Sequence, residues 1–460
     1  MSGAKPSRQS MRAFLSALEA EGQLVTISQP VQLDYEIAAC LAETDTGPAL
    51  KFTDVQDARG TRAMPVVGNL LNTLPRYALG LGCERGEAQA ALIAAIENPL
   101  PHRVVTSAPC QQQVVENPSL LDELPIPRFF EKEAGAYITA GLIVARDRVT
   151  GATNLSIARL MPLGGNRAFV GIAPNHHLAI LSRAALARGE KLDIAVCIGN
   201  HPAVLLASCL YLGLGEDELP VAGALLGEPL DVVRATQSDL MLPAQCECVL
   251  EGTLDAGEPF VEGPVSEFHG MYENYGAGIV ATFSALTRRR DAIFQVILPG
   301  YHPEHCLLGG VAIAAGLLRQ LRAAVASVKE VAVGVGGAGR LHAVISLGAP
   351  RPGEARKAMF AVWAAVNLVK QVIVVDDDID PWNEVRVEYA RATRAKPERD
   401  FVIIPGVRAD RSEPLDQGGT IGKLGIDALR KPEDRADWDI ARPPEAARAR
   451  AREILNHRHA

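Results

Sequence analysis

The chain has 460 residues, which is too long for one ordinary hydrophobic core and indicates two or three domains. Hydrophobic residues at 48% and charged residues at 22% are typical of an ordered globular protein. The net charge of −8 argues against a nucleic-acid partner, because such a partner requires a basic surface. No apolar run is long enough for a membrane span or a secretory signal, so we expect a soluble, cytoplasmic protein without a membrane partner.

The first 110 residues alternate between helical and strand patterns. Apolar residues at helical spacing predict amphipathic helices over residues 10–21 and 36–44, and an Ala-rich segment predicts another over 87–97. Short strands are expected at ALKFTDV and MPVVGN. The pattern therefore predicts an N-terminal α/β domain over residues 1–110.

Residues 111–300 are rich in strands. Segments such as ITAGLIVARD, ATNLSIARLMP and CVLEGTLD carry β-branched alternation broken by Gly and Pro, and the helix HLAILSRAALARG interrupts them. This pattern favours a barrel-like β domain over a doubly wound sheet.

Helices and strands alternate again in the last third of the chain. A long apolar helix is expected as a linker over residues 301–325, followed by a C-terminal α/β domain over 326–460. We expect its last helix, over 444–456, to pack on a partner subunit rather than on its own core.

The eight cysteines lie in apolar stretches without a CxxC pair or the regular spacing of a disulfide framework, which predicts reduced thiols. Cys246 and Cys248 would share one face of a strand, so a metal-binding pair is an open alternative.

The glycine cluster GVGGAG at 334–339 matches the spacing of a dinucleotide-binding loop. Such a loop must open a helix whose N-terminus holds the pyrophosphate. Here Arg340 leads into the alternating strand LHAVISL, which predicts a Gly-rich hairpin and disfavours a nicotinamide-dependent oxidoreductase.

Two carboxylates flank a turn in PFVEGPVSEFHG. Glu262 and Glu267 are five residues apart, and only a turn of the kind that Gly263-Pro264 promotes could aim both into one cavity. Close carboxylates, one neutralised by its neighbour and by burial, provide a proton donor and acceptor. Two solvent-exposed acids beside a loop are the alternative.

The segment NLSIAR at 154–159 reads as a strand, with Arg159 on the face opposite to Asn154. An arginine in an apolar strand environment needs an anion, either from the protein or from a substrate. A strand-edge arginine in water is the alternative.

A metal site is a further candidate. His176 and His177 stand at a predicted helix start, and the segment GEDELPVAGALLGEP carries four acids, Glu216, Asp217, Glu218 and Glu228. Imidazole, amide and carboxylate ligands suit Mn²⁺ or Mg²⁺. Adjacent histidines point in different directions, so at most one binds a given ion, and a helix cap or a surface position is the alternative for each.

In this order the segments resemble the UbiD decarboxylase family over nearly the whole chain. The strongest similarities are NLSIAR at 154–159, LLGEPLDVV at 225–233, EGPVSEFHG at 262–270 and VIVVDDDIDP at 372–381, followed by ATR at 392–394. The resemblance implies an α/β multidomain fold with a central split β-barrel that binds a flavin and a C-terminal domain that mediates oligomerisation. It also implies reversible decarboxylation of an aromatic, heteroaromatic or α,β-unsaturated acid.

The resemblance assigns the acid–base group. The family's Glu-Arg-Glu network matches Glu262, Arg159 and Glu267. Arg159 would orient the substrate carboxylate with Glu262 as its partner, and Glu267 would donate the proton after CO₂ leaves. The family's prenylated FMN supplies the electron sink, and a UbiX-type flavin prenyltransferase would be the partner that provides it.

The resemblance also assigns the cofactor site. The family's metal, usually manganese, would be bound by Asn154, His177 and Glu218, with His177 preferred to His176 by alignment of the following helix. Potassium would lie near Ala207, Ser208 and Glu218, and Lys370 is expected at the phosphate. The predicted cofactor-binding residues are Asn154, Ser156, Ile157, Ala158, Arg159, His176, His177, Ser208, Glu218 and Lys370.

The segment HPEHCLLGGV is expected to border the substrate through His302, His305 and Leu308. Its polar groups favour a small heteroaromatic acid such as a furan dicarboxylate, and phenolic acids remain open. A non-catalytic FMN-binding subunit is the other alternative, which the intact acid–base residues disfavour. Family analogy implies a homodimer or a homohexamer.

Overall fold

A computed structural model of the chain describes residues 7–275, 277–415, 418–435 and 437–456, so the outermost ends of the first and last predicted domains lie outside the described residues. The N-terminal elements are α1 (Met11–Ala20), β1 (Leu24–Ile27), β2 (Val31–Gln32), α2 (Glu36–Glu43), β3 (Ala49–Phe52), β4 (Val55–Gln56), β5 (Val66–Gly68), α3 (Leu74–Leu81) and α4 (Ala88–Glu97).

The predicted N-terminal helices form close to their expected bounds. The Ser10 hydroxyl accepts the Ala13 N–H at 3.2 Å and caps α1, because a serine oxygen satisfies one of the free N–H groups at a helix start. The apolar residues that predicted α1 from their spacing are all buried, namely Met11, Phe14, Leu15 and Leu18.

The central region holds most of the strands. Its elements are β6 (Arg103–Val105), β7 (Gln113–Glu116), α5 (Leu120–Glu123), β8 (Leu142–Arg146), β9 (Thr153–Ile157), β10 (Arg159–Gly164), β11 (Arg167–Gly171), α6 (His177–Ala187), β12 (Leu192–Ile198), α7 (Pro202–Ala207), α8 (Glu218–Leu226), β13 (Asp231–Arg234), β14 (Met241–Pro243), β15 (Cys248–Val261), β16 (Val265–Ser266), β17 (Tyr272–Glu273), β18 (Ala277–Arg288) and β19 (Phe294–Gln295).

The main central sheet has eight strands in the order β10-β11-β18-β15-β12-β8-β9, with β7 paired to β18. All these pairs are antiparallel. The strands at the two ends of this order, β9 and β10, are separated in sequence by Ala158 alone. The sheet must therefore curl until its ends meet, which gives the predicted barrel-like shape with a seam at Ala158.

The C-terminal elements are α9 (Pro303–Ala324), β20 (Val328–Ala332), β21 (His342–Leu347), α10 (Glu354–Ala365), β22 (Gln371–Asp376), α11 (Glu384–Arg394), α12 (Pro397–Asp400), β23 (Phe401–Arg408), β24 (Thr420–Ala428) and α13 (Glu445–Asn456). A five-stranded sheet forms in the order β20-β21-β22-β24-β23, with a separate hydrophobic core on each of its faces.

The glycine cluster connects β20 and β21, which pair antiparallel. A short 3₁₀ turn over Val335–Gly337 occupies the loop, and the chain then enters β21 rather than a helix. The predicted Gly-rich hairpin is confirmed, and the loop lacks the helix N-terminus that a dinucleotide fingerprint requires.

Helix α9 joins all three regions. Within the described residues it is the one helix long and apolar enough to cross a membrane, but 67% of its apolar window is buried inside the protein, as in a core helix. Its Glu304 is fully buried, and the carboxylate accepts the N–H groups of Asn69 at 3.0 Å and Leu71 at 2.8 Å. These bonds attach the start of α9 to the N-terminal region.

The four-part division at residues 110, 300 and 325 stays a proposal, and two strand pairs cross it: β19 pairs with β5 of the N-terminal sheet, and β6, which precedes residue 110, pairs with β13. All eight cysteines are free. The described part of the chain contains no group of three His, Cys, Asp or Glu side chains suited to a metal, so Cys246 and Cys248 have no third ligand of these types there.

Candidate active site

A cavity of about 570 Å³ lies at the barrel seam, within the size range of sites that bind cofactors and small ligands. Strands β9 and β10, the loop after β15 and the first turns of α9 supply its walls. The loop between β23 and β24 of the C-terminal region reaches it through Asp410.

A buried ion pair joins Arg159 to Glu262. The Arg159 Nε donates to Glu262 Oε1 at 2.8 Å, and Nη2 donates to Oε2 at 2.5 Å, so the contact is bidentate. The Glu262 side chain has no exposed surface and that of Arg159 is 22% exposed. Burial alone would lower the pKa of Arg159, but the contacts with Glu262, together with smaller contributions from Glu267 and Tyr137, outweigh burial and the pKa is raised.

The expectation of one continuous strand over 154–159 was wrong. The strand is interrupted at Ala158, where β9 ends and β10 begins, and every residue of the segment 154–159 lines the cavity. The face alternation of a continuous strand does not apply across this break, because Ala158 belongs to neither strand.

Glu262 directly follows the last residue of β15, and Tyr137 is its second partner. The Tyr137 hydroxyl donates to Glu262 Oε1 at 3.1 Å. Burial, followed by the negative charge of Glu262, raises the pKa of Tyr137, so the phenol stays protonated and remains a donor. A lone tyrosine carries no signal in the sequence that would have predicted this role.

After the turn at Gly263-Pro264 the chain reaches the cavity wall at Glu267, whereas Glu262 lies behind that wall and contacts the lining residues Arg159 and Tyr137. The Pro264 carbonyl accepts the Ala134 N–H at 2.9 Å, which fixes the turn against the preceding loop. The prediction that the Gly-Pro turn aims both acids into one cavity holds for Glu267, which lines the cavity, and not for Glu262, which reaches it through Arg159.

Tyr275 is the partner of Glu267 and was not predicted. Its hydroxyl donates to Glu267 Oε2, and burial together with that carboxylate raises the pKa of Tyr275. The guanidinium of Arg159 lies 5.6 Å from the centroid of its ring, and that of Arg411 lies 4.8 Å from it. Tyr275 therefore links the acid–base group to the β23–β24 loop.

Another carboxylate that lines the cavity, Glu133, was also missed. It is 1% exposed and accepts the Ser266 hydroxyl at 2.6 Å and the Phe130 N–H at 3.2 Å. Burial raises its pKa. Its contacts hold Ser266, the residue that precedes Glu267, so Glu133 fixes the position of the Glu267 loop.

The predicted metal ligands come together at the other part of the wall. Asn154, His177 and Glu218 all line the cavity, with Asn154 on β9 and the other two at the first positions of α6 and α8. Glu218 Oε2 accepts the Leu155 N–H at 2.7 Å, and Asn154 Nδ2 approaches Oε1 at 3.4 Å. Burial raises the pKa of Glu218 to about 7.

Several buried polar atoms near these residues have no hydrogen-bond partner in the described part of the chain: Asn154 Oδ1, Ser156 Oγ and His176 Nδ1. Buried polar groups are normally satisfied, so unpaired atoms facing a cavity fit a bound polar group or ion. Oxygen and imidazole donors of this kind suit Mn²⁺ or Mg²⁺. His176 and His177 both line the cavity, so the choice between them stays a prediction.

The remaining acids near Glu218 have other partners. Asp217 caps α8 by accepting the Leu219 N–H at 3.0 Å, and Glu216 accepts the Gly213 N–H at 2.5 Å. At the predicted potassium site, Ser208 lines the cavity and its hydroxyl donates to the Leu205 carbonyl at 2.7 Å, whereas Ala207 is fully buried.

The structure separates the predicted substrate residues. His305 and Leu308 line the cavity, because positions three apart lie on one face of α9. His302 is not among the described lining residues: it precedes the first turn as the N-cap and is buried away from the cavity. Lys370 is likewise absent from that lining, because its ammonium binds the buried Glu413 at 2.6 Å.

Three family models match consecutive parts of the chain. They are the N-terminal domain of 3-octaprenyl-4-hydroxybenzoate carboxy-lyase over residues 15–96, its Rift-related domain over 102–302 and its C-terminal domain over 306–428. The chain belongs to the UbiD family. The predicted family, its multidomain α/β fold and its carboxy-lyase class are confirmed.

Curated relatives within the UbiD family are decarboxylases. The chain is 34% identical to the anhydromevalonate phosphate decarboxylase of Methanothermobacter thermautotrophicus over 91% of this chain and 96% of the relative. It is 30% identical to the phenolic acid decarboxylase of Bacillus subtilis over 94% of each chain. These UbiD relatives act on chemically different acids, so family membership does not fix the substrate.

Solved structures of UbiD-class enzymes match the whole fold. HmfF from Pelotomaculum thermopropionicum, in complex with FMN, has a TM-score of 0.90 at 38% identity and covers 94% of this chain and 97% of its own. An evolved dimeric form of the same enzyme, in complex with prenylated FMN, has a TM-score of 0.87 at 37% identity. The match covers 95% of this chain and 97% of the evolved enzyme. Flavin binding is thus a property of UbiD neighbours with this architecture.

Proposed function

We propose that this chain decarboxylates an aromatic, heteroaromatic or α,β-unsaturated carboxylic acid with prenylated FMN, and that Arg159, Glu262 and Glu267 are its acid–base group. The observation that carries this proposal is that Arg159 and Glu267 line one cavity and that the fully buried Glu262 holds Arg159 by a bidentate pair.

Arg159 orients the substrate. Two of its nitrogens bind Glu262, and Nη1 has no partner among the described residues, which leaves N–H donors for a substrate carboxylate. The Tyr137 hydroxyl donates to Glu262 Oε1, the oxygen that also accepts Arg159 Nε, so the carboxylate and the guanidinium are fixed before the substrate arrives. Preorganised donors of this kind position a carboxylate without reorganisation during the reaction.

Glu267 delivers the proton. Decarboxylation breaks the bond between the carboxylate carbon and the substrate carbon, releases CO₂ and requires one proton at the carbon left behind. Glu267 transfers that proton and recovers one from solvent, with Tyr275 holding the carboxyl group in position through its hydroxyl. Prenylated FMN, when bound, supplies the electron sink for this chemistry.

The residues present fit the cofactor. The unpaired Ser156 hydroxyl and the nearby backbone of β9 suit the flavin phosphate end. The unpaired Asn154 Oδ1 is an acceptor and suits Mn²⁺ or Mg²⁺, which would be held by Asn154, His177 and Glu218, with K⁺ near Ser208. Asn154→Ala should lower both the manganese content and the flavin content of purified protein. Unchanged manganese by elemental analysis would contradict the metal assignment.

The substrate proposal extends to a small heteroaromatic acid, with furan-2,5-dicarboxylate as the specific candidate. The polar His305 and the apolar Leu308 on the cavity wall support a small ring with a polar substituent. A non-catalytic FMN-binding subunit is the alternative, and the assembled acid–base group argues against it.

A UbiX-type prenyltransferase and a homo-oligomeric assembly, dimer or hexamer, complete the proposal. Exposed apolar side chains on the C-terminal region support self-association: Ile403 is 74% exposed, and Ile454 and Leu455 of α13 are 50% and 56% exposed. The eight free cysteines support a reducing compartment such as the cytoplasm.

The test is co-expression with a flavin prenyltransferase, followed by an absorption spectrum and an HPLC screen of aromatic, heteroaromatic and acrylic acids. A prenylated-flavin spectrum together with CO₂ release from at least one acid would support the proposal. Plain FMN without turnover would favour the non-catalytic subunit, and NADH binding would revive the oxidoreductase.

A further inference from the structure

Arg340 follows the glycine cluster and lies on the cavity wall beside α9. Its guanidinium forms no ion pair with any carboxylate that the structure describes. Nη1 donates to two backbone carbonyls, Gly339 at 3.1 Å and Cys306 at 3.5 Å, and the group lies 5.4 Å from the centroid of the Phe268 ring.

The position of this guanidinium is fixed by packing. It lies directly on the backbone of α9 at Gly309, where a Cβ atom would overlap it. Only glycine at position 309 leaves room for the guanidinium, so Arg340 packs directly against the backbone of the first turns of α9. A cation held in this way needs little further ordering when it binds a ligand.

Two other arginines with little exposure have acid partners, and all three guanidinium nitrogens of the 3% exposed Arg76 donate to amide or carbonyl oxygens. Arg394 binds Asp376 and Asp378, and Arg159 binds Glu262. Taking a cation out of bulk water is costly unless an anion compensates it, and guanidinium groups pair well with carboxylate and phosphate. Arg340 is therefore the cation on this wall that lacks its anion.

Neither of the two other ionisable groups near Arg340 on this wall provides a free positive charge for an anion. His305 Nδ1 lies 3.0 Å from the Gly300 carbonyl, and burial, with a further contribution from Arg340, lowers the pKa of His305 to about 4, so the ring is neutral. Asp410 also lines the cavity, where its Oδ1 accepts the Ser412 N–H at 3.0 Å within its own loop.

We propose that Arg340 binds a second acidic group, a carboxylate or a phosphate, on a substrate whose reacting carboxylate binds Arg159. This inference rests on the proposed decarboxylase function and deepens it, because it makes the preferred substrate a dianion. Arg340 acts as a specificity-determining residue for the part of the substrate remote from the leaving CO₂.

The test compares acids that differ only in the second group. If the second group is a carboxylate, the informative pair is furan-2,5-dicarboxylate and furan-2-carboxylate. If it is a phosphate, the informative pair is a phosphorylated α,β-unsaturated acid and the same acid with a free hydroxyl in place of the phosphate. The kcat/KM of the prenylated holoenzyme and the Kd of each acid by calorimetry are measured for wild type, Arg340→Gln and Arg340→Lys. Arg386→Gln is the matched control, because Arg386 also stacks on an aromatic ring but lies outside the lining of the cavity.

We expect wild type to prefer one dianion over its partner acid, and Arg340→Gln to reduce that preference roughly 10- to 100-fold, the range for a hydrogen bond to a charged group. Arg340→Lys should restore part of it, and Arg386→Gln should match wild type. The acid pair that shows the effect identifies the source of the second anion.

Three results would overturn the inference: a wild-type preference for both monoanions, an equal loss for both acids of a pair in Arg340→Gln, or loss of bound flavin in that variant, which would make Arg340 a cofactor residue. A protein that binds a dianion through Arg340 by calorimetry but releases no CO₂ from any acid would sink the proposed function and leave this inference standing.

Discussion

Glu262→Gln is the perturbation that most directly probes the acid–base group. The substitution keeps the shape of the side chain and removes its charge. The amide oxygen can still accept one of the two N–H groups of Arg159, but its NH₂ group faces the other donor. The guanidinium, whose side chain is 22% exposed, loses its only carboxylate partner among the described residues.

The magnitude follows from burial. Removing one partner of a buried ion pair costs about 3–5 kcal/mol, and the retained amide contact places this variant near the lower end, at about 3 kcal/mol. For a domain the size of the central region, over residues 102–302, 1 kcal/mol shifts the unfolding midpoint by about 2–4 °C, so the expected loss is about 6–12 °C.

Differential scanning calorimetry measures the midpoint, and Glu258→Gln is the matched control. Glu258 lies on β15, the strand that leads to Glu262, and pairs with Arg167 at a site where both side chains are more than 40% exposed. An exposed pair contributes only about 0–1 kcal/mol. The control should therefore unfold within about 3 °C of wild type.

Activity provides the second readout. A displaced Arg159 should lower kcat/KM by about 100-fold, the typical effect of a small misplacement of a positioning group. The reasoning fails if Glu262→Gln has the same unfolding midpoint as Glu258→Gln and also retains wild-type kcat/KM. The pair between Arg159 and Glu262 would then contribute neither to stability nor to activity.

Two further predictions concern neighbouring groups. Burial raises the pKa of Glu304 to about 7 from its ordinary value of 4.5, so its contribution to stability is complete below pH 4.5 and is lost as the pH rises through about 7. The free energy of unfolding of wild type should fall by up to about 3 kcal/mol more than that of Glu304→Gln across this window in a denaturant series, and parallel pH curves would contradict it. Tyr275→Phe removes the hydroxyl on Glu267 and should lower kcat roughly tenfold with little change in KM or flavin content, and an unchanged kcat would remove Tyr275 from the mechanism.

The sequence predicted the parts of this fold that depend on periodic patterns. Helix α1 and the first strands follow from apolar spacing, and the glycine cluster was assigned to a hairpin because a strand follows it. These features depend on short stretches of chain, so their physical cause lies within the stretch itself.

The buried short helices could not be predicted in the same way. Helices α7 and α8, which bring Ser208 and Glu218 to the cavity, are largely buried and lack the polar face that makes an amphipathic pattern visible. The break at Ala158 was missed for a related reason. The closure of the sheet onto itself, rather than local propensity, interrupts the strand there.

The candidate site was assembled from family resemblance more than from spacing. Spacing alone left Glu262 and Glu267 open as exposed acids, and the structure shows a buried Glu262 bound to Arg159, which lines the same cavity as Glu267. Tyr137 and Tyr275 escaped notice because a single tyrosine has many roles in a protein, and only the fold reveals which carboxylate its hydroxyl contacts.

The most direct measurement is decarboxylation in D₂O by prenylated wild type and Glu267→Gln, with deuterium in the product followed by mass spectrometry. The account predicts that wild type releases CO₂ and places one deuterium at the carbon that lost the carboxylate. It also predicts that Glu267→Gln keeps its flavin spectrum and forms no product. Turnover by Glu267→Gln at the wild-type rate would contradict the assignment of Glu267 as the proton donor.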